Sequence, residues 1–348
     1  MSHSGTFLND SLNLKKEGVE LKKAGFTTSI PVEILFSAGI TPVDLNNIFI
    51  SSQKPDSYLE LAEKDGFPRN TCSWIKGMYS CALKNKDIDV VIGVMEGDCS
   101  NTRALIEVMN MKGIKSVSFA YNLERDYNIL KKEIQKLCSF FNVNLDSCVR
   151  AKGELDKVRK KLVYLDELTW KHNRATGFEN HIWQVSSSDF CGDYRAFDNK
   201  LKQKIAEIEK RKEIDTKFRL GYIGVPPIFS DLYDFLEQVN ARVVFNEVQR
   251  QFTMFNGIDN DDIVETYRNY TYPHGIEIRI KDIKNEIKRR NIQGIIHYVQ
   301  AFCYRGIEDI IIRDSLDVPI LTLEGDKPGK IDARTRLRIE AFLDVIGG

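Results

Sequence analysis

The 348-residue sequence contains no G-x-x-x-x-G-K-[ST] run, which argues against ATP binding through a phosphate loop. It has no H-E-x-x-H pair and no G-x-S-x-G elbow, so common zinc-protease and serine-hydrolase chemistries find no support. Gly221-Tyr222-Ile223-Gly224 is no dinucleotide fingerprint, because its glycines straddle a strand instead of opening a helix. No apolar run approaches the roughly 18–20 residues of a spanning helix. The start, MSHSGTFLND, lacks a basic segment followed by an apolar one, so no secretory signal is expected. Net charge is missing too, since 50 Lys and Arg offset 50 Asp and Glu. No global field then favours nucleic acid or an anionic membrane, and neither is expected as a partner. These absences predict a cytoplasmic protein. Its seven cysteines are then thiols, metal ligands or catalysts rather than a disulfide frame.

What is present centres on Asp87–Arg103, DIDVVIGVMEGDCSNTR. Val90–Met95 is a continuous apolar run, the pattern of a parallel strand covered on both faces. Cys99 follows just past its carboxyl end, where open α/β sheets place ligands. Gly294–Cys303, GIIHYVQAFC, repeats that arrangement. The spacing predicts first-half strands at Pro31–Gly39, Asn47–Ser51, Val90–Met95 and Lys115–Tyr121. Leu12–Phe26 is expected as a helix, and Thr41-Pro42 as the opening of another. Further helices are expected at Tyr58–Asp65 and from Ser73. The charged, amphipathic stretch 124–180 and Leu201–Glu213 are helical by the same reasoning. Second-half strands are expected at Arg219–Val225, Arg242–Asn246, Gly294–Val299 and Val318–Leu323, with helices at 231–239, 281–290 and Arg334–Val345. The result is an α/β protein with two doubly wound, four-stranded domains, 1–123 and 218–348, joined by a helical region, 124–217.

Among the cysteines, Cys72 precedes a helix, and Cys99 and Cys303 end strands. All three therefore fall at the edge of their domains where sites form. Three thiolates would leave one iron of a [4Fe–4S] cube open to another ligand. The alternative is that each is a small buried hydrophobe. Cys81 follows Cys72 by nine residues, about 180° away on a helix, and is expected in the core. Cys138 and Cys148, in the amphipathic region, are expected in the core or on the surface. Cys191 lies in an exposed loop, SSSDFCGDYR. His297, inside a strand, is expected as a satisfied core residue or a support to a ligand.

The chain resembles the family of 2-hydroxyacyl-CoA dehydratase subunits, benzoyl-CoA reductase subunits and double-cubane cluster proteins. PVEILFSAGITPV is similar to the family's opening, and Cys72-Ser73 begins the expected helix. Asp89–Cys99 and Ile295–Cys303 are similar to its cysteine-bearing strands. LTLEGDKPGKIDARTRLRIEAFLDVI matches the closing E-x-D and T-R-x-x-x-E-A-F pattern. The resemblance implies that Cys72, Cys99 and Cys303 hold the iron of one [4Fe–4S] cluster, within two flavodoxin-like domains. It implies a homodimer or a heterodimer with a related subunit, fed electrons by a separate ATP-hydrolysing iron–sulfur activator. In the dehydratases a low-potential electron enters a CoA thioester carbonyl, and the resulting ketyl radical expels the hydroxyl group. Double-cubane [8Fe–9S] members carry extra cysteines where this chain reads NKDID and FNEVQRQ, so a double-cubane reductase of small molecules is the alternative. A non-catalytic electron carrier or partner subunit is the reading outside the enzyme class.

Arg103 and Arg305 follow cluster cysteines and are placed to meet an acyl-CoA or other small-molecule substrate, or to hold their loops. Glu324 and Asp326 follow the last strand, where they serve either proton transfer or capping. Arg334 and Arg336 open the last helix and are expected in a structural salt bridge.

Overall fold

The computed structural model describes residues 21–348. Strands β1 (Lys23–Phe26), β2 (Thr41–Asp44), β3 (Val90–Glu96) and β4 (Ser116–Ala120) form one all-parallel sheet in the order β2-β1-β3-β4. Strands β5 (Phe218–Gly224), β6 (Ala241–Asn246), β7 (Gly294–Gln300) and β8 (Ile320–Gly325) form a second in the order β6-β5-β7-β8. Each order reproduces the first four strands of the flavodoxin-like 2-1-3-4-5 arrangement. The apolar run of β3 divides by alternation. Val90, Ile92 and Val94 enter one core, and Val91 enters the core on the other face. In β7, Ile296 and Tyr298 face one core and Ile295 the opposite one.

Two of the four expected first-half strands are helices, and the two strands β1 and β2 lie in segments expected to be helical. Pro31–Gly39 is not a strand but contains a helix, Val32–Ser37, with Pro31 as its N-cap. Its residues Val32 to Leu35 are all buried, so neither helical nor strand periodicity shows in the sequence. Pro31 has no N–H for a ladder, and its fixed φ suits a helix start. Thr41-Pro42 opens no helix; it begins β2 at the sheet edge, where a missing N–H is tolerated. Asn47–Ser51 in turn belongs to the Leu45–Ser51 helix, capped by Asp44, which accepts the Asn46 N–H at 2.9 Å. The helix expected over Leu12–Phe26 ends instead as β1; its residues before 21 lie outside the described ones.

Helices Tyr127–Phe140, Leu145–Trp170 and Tyr194–Glu209 pack on the first sheet and share its core. So do Val248, Met254 and Tyr267, which follow β6 in the second half of the chain. Buried charge reinforces this crossing. Arg159 pairs with Glu33 at 2.8 Å, and the Tyr267 hydroxyl donates to the same carboxylate at 2.7 Å.

Two helix glycines give opposite expectations for the same change. Gly77, within the Ser73–Lys84 helix, would place a Cβ 2.4 Å from the Phe49 ring, which is held edge-on by Tyr58 and Trp74. Gly77→Ala is expected to destabilise by about 1–3 kcal/mol. Gly153, exposed in the Leu145–Trp170 helix, has nothing within 4 Å. Gly153→Ala is expected to stabilise by about 0.5–1 kcal/mol. Urea midpoints of the two variants check the signs.

Candidate functional site: a cavity between two sheet edges

Both sheets turn their carboxyl edges toward one cavity of about 840 Å³. Thr27 and Thr28 follow β1, Asp98 and Cys99 follow β3, Val225 to Pro227 follow β5, and Cys303 follows β7. The pairs β1/β3 and β5/β7 are the switch points of the two sheets, where the strand order reverses and a crevice opens. The Gly177–Val185 helix, started by a Thr176/Glu179 capping box, adds Phe178, His181 and Ile182 to the wall.

Cys72, Cys99 and Cys303 all line this cavity as free thiols. Each immediately precedes a helical turn. Cys72 is the N-cap of the Ser73–Lys84 helix, and the Trp74 and Ile75 amides lie close to its sulfur. The Asn101 amide lies near the Cys99 sulfur, ahead of the Thr102–Met111 helix. Cys303 caps the 3₁₀ turn Tyr304–Ile307, with the Arg305 amide near its sulfur. Helix N-termini favour the thiolate. Burial nevertheless pushes the Cys72 thiol up to about 11 and Cys99 up to about 12, and raises Cys303 as well. Mutual repulsion adds to this: Cys72 feels Cys303, and Cys99 feels both. Bound iron would reverse that balance, since a metal cation draws thiols into their ionised form.

Among the described residues, no group of three or more His, Cys, Asp or Glu converges on a point suited to one metal ion. A single tetrahedral ion, with bonds of about 2.3 Å, needs sulfurs about 4 Å apart. Three thiols distributed around a roomy cavity suit a polynuclear cluster better than one ion. Three cysteine thiols are the donor chemistry that iron–sulfur groups use.

The loops of Cys99 and Cys303 are tied together directly. The Tyr304 hydroxyl donates to the Asp98 carbonyl at 2.6 Å, and Arg305 Nη2 reaches the Gly97 carbonyl at 3.4 Å. The Arg305 guanidinium also donates to the Tyr272 carbonyl at 3.0 Å, pairs with Glu308 at 2.9 Å and stacks 4.3 Å above the Tyr272 ring. Glu308 pairs in turn with Arg279, which bonds Glu247 at 2.6 Å, and Glu247 accepts the Gly224 N–H at 2.9 Å. An ionic chain thus runs from the Cys303 loop to the end of β5. Gly97 adopts a φ of +93°, and a Cβ there would lie 2.7 Å from Tyr121 and 2.9 Å from the Pro273 carbonyl.

A model of the 2-hydroxyglutaryl-CoA dehydratase D-component family matches residues 27–346. The chain belongs to this family. No curated protein matches the sequence. The match spans both sheet edges and all three cavity cysteines, and it supports an enzyme-type, dehydratase-like subunit. A D-component is one part of a multi-subunit system, so partners are implied. Among the described residues, no helix is long and apolar enough to cross a membrane.

The other residues singled out from sequence divide. Arg305 lines the cavity but is buried, and its terminal nitrogens hold loops. Arg103 is outside, exposed on its helix and 3.6 Å from Glu107. Glu324 and Asp326 are exposed and do not line the cavity; Asp326 contributes its carbonyl to Gln300 Nε2 at 2.8 Å. Arg336 does form a salt bridge, at 2.9 Å to Asp231. Cys81 is buried in the core beside the first sheet. Cys138 and Cys148 are buried with sulfurs 3.8 Å apart. Cys191 lines the cavity on a left-handed turn, with Phe190, Cys191 and Gly192 all at positive φ. Its charged neighbours are Asp189 and Lys200 rather than the other three thiols. His297 is buried, 2.6 Å from Asp309.

Sequence reasoning missed four wall residues. Asp44 and Asp189 meet through the Asp44 N–H, which donates to Asp189 at 2.9 Å, and Ser188 donates to Asp44 at 2.7 Å. Burial and the neighbouring Asp44 charge push Asp189 up to about 7. Nothing in the sequence marks that pair, which is 145 positions apart. Asp98, pushed up to about 6 by burial, adjoins Cys99 in the Gly-Asp-Cys turn and had a signal in that adjacency. His181 stacks on Tyr233 at 4.7 Å, and burial alone pushes its pKa down to about 3.

His181 gives a pH expectation. Its folded pKa lies below the ordinary value of 6.5, so between the two the unfolded chain binds the extra proton. Stability should therefore fall as pH drops from about 6.5 toward 3. The drop in denaturation midpoint from pH 7 to pH 5 is expected to be smaller in His181→Asn than in wild type.

Proposed function

We propose that this chain is the iron–sulfur subunit of an ATP-activated, low-potential dehydratase-type enzyme, with one [4Fe–4S] cluster held by Cys72, Cys99 and Cys303. The observation that carries this reading is that three cysteines, from loops of two different sheets, line one cavity in a chain of this family. When bound, the cluster would supply low-potential electrons and an iron with no protein thiolate, able to act as a Lewis acid.

The protein's own contribution is positional. Tyr304 and Arg305 fix the Cys303 loop against the carbonyls of Gly97 and Asp98, two successive residues ahead of Cys99. The Phe178, Ile182 and Phe229 side chains line the cavity and limit water around a bound substrate. The remaining volume favours an enzyme over a pure electron carrier, because about 840 Å³ leaves room for an organic molecule beside a cluster. Electrons would come from a separate ATP-hydrolysing iron–sulfur activator, and a second subunit, identical or related, would complete the assembly.

The double-cubane alternative requires more thiolates at the site. Cys81 is packed in the core and Cys191 has no thiol neighbour there, so the single cube is preferred. Iron and acid-labile sulfide on anaerobically purified protein test the assignment. About four of each per chain supports it, and about eight would shift it to the double cubane. No iron after anaerobic reconstitution would sink both.

A further inference from the structure

The walls of the cavity define the chemistry of the group that enters it. They are largely apolar, with Ile50, Trp74, Met78, Ile182, Pro226 and Phe229 among them. Asp44, Asp56, Asp98 and Asp189 also line it. Among the described lining residues, the only Lys or Arg is Arg305. That guanidinium is occupied by Glu308 and two backbone carbonyls, and its one unpartnered nitrogen, Nε, is buried out of reach. His181 is uncharged near neutral pH because burial holds its pKa far below 6.5. Of the lysines adjacent in sequence to lining residues, Lys54, Lys327 and Lys330 are exposed and Lys76 is buried against Glu63 at 2.8 Å; none of the four lines the cavity.

A ligand carboxylate brought into this space would lose its water and meet no free cation. Burying an unpaired carboxylate is costly. An alkyl or aryl group meets neither penalty and covers apolar wall. We propose that the substrate group seated in this cavity is uncharged and apolar, an alkyl or aryl acyl chain, and that an acyl chain ending in a second carboxylate is rejected. In naming an acyl substrate this rests on the function proposed above. The dicarboxylic acyl group in the family's name would then not be the one this chain takes.

The test is binding without turnover, using the full chain purified anaerobically. Two uncharged-carrier thioesters serve as probes: the N-acetylcysteamine thioesters of 2-hydroxy-4-methylpentanoate and of 2-hydroxyglutarate. Equilibrium dialysis is expected to show the methylpentanoyl probe bound at least about tenfold more tightly, about 1.4 kcal/mol. Ile182→Arg places a cation at the exposed mouth helix without touching a cysteine, and it should raise affinity for the glutaryl probe while lowering it for the apolar one. Equal affinities, preference for the glutaryl probe, no binding of either, or no gain in Ile182→Arg would overturn the proposal. Iron is measured on the same samples, and iron-free protein is dialysed in parallel. A preference shown by protein that takes up no iron on anaerobic reconstitution would leave this inference standing while the cluster assignment fails.

Discussion

Alanine at Cys303 is expected to yield protein that folds but retains less than about one iron per chain and has no detectable dehydratase turnover. In the proposed ligand set this removes one thiolate of three, and no other cysteine is placed to replace it. Cys191 lines the cavity without neighbouring the trio, and Cys81, Cys138 and Cys148 are buried elsewhere. The loop itself should survive, because its position is set by Tyr304 and Arg305 and by the Gln300–Cys303 turn, whose backbone bond is 3.0 Å. Cys303 is only partly buried, so the folding cost should stay near 1 kcal/mol or below. Cys138→Ala is the control and should keep its iron. Iron retained in Cys303→Ala, together with the wild-type spectrum, would remove Cys303 from the ligand set.

Arg290→Ala is expected to lower unfolding stability by about 3–5 kcal/mol, among the largest effects available to a single change in this chain. Arg290 is fully buried. Its two terminal nitrogens grip Asp166 at 2.8 and 2.6 Å, and it also bonds the Val244 carbonyl at 2.6 Å and pairs with Glu286. The guanidinium lies 5.3 Å from the rings of both Trp170 and Phe245. The Leu145–Trp170 helix is thereby fastened to the Ile276–Arg290 helix and to β6. Without Arg290, Asp166 keeps Asn180 at 2.9 Å but remains a buried carboxylate without its cation. Asp166→Leu combined with Arg290→Met should recover most of the loss, since breaking a buried pair costs more than replacing it with apolar groups. The double-mutant cycle is read in urea.

The same pair has a pH signature. Burial opposes ionisation of Asp166, but Arg290 outweighs it and holds the carboxyl below its usual range. Its stabilisation is thus present above about pH 4 and is lost as pH falls through the lower folded value. Arg290→Ala should lose that acid dependence. His181 acts in the neighbouring window from about 6.5 downward, so the two contributions can be separated by pH.

By itself the sequence determined the class of fold and where its cysteines stand. The apolar runs of β3 and β7 have the length and β-branched content of parallel strands covered on both faces, and each has a cysteine just past its carboxyl end. The four strands of the second half were legible because turns or periodic helices bound them, but the helices at Glu247–Gln251, Ile263–Arg268 and Glu308–Ser315 were not. Tertiary structure decided the rest. Val32–Ser37 and Thr41–Asp44 exchange the expected strand and helix, because a short segment buried on every side shows no period and only its packing partners select its form. The Asp44–Asp189 contact joins positions 145 apart, so no local pattern could announce it. Arg305 differs from Arg103 not in its sequence setting but in having Glu308, Tyr272 and Gly97 around it, and charge is usable by a ligand only where the fold has left it unpaired.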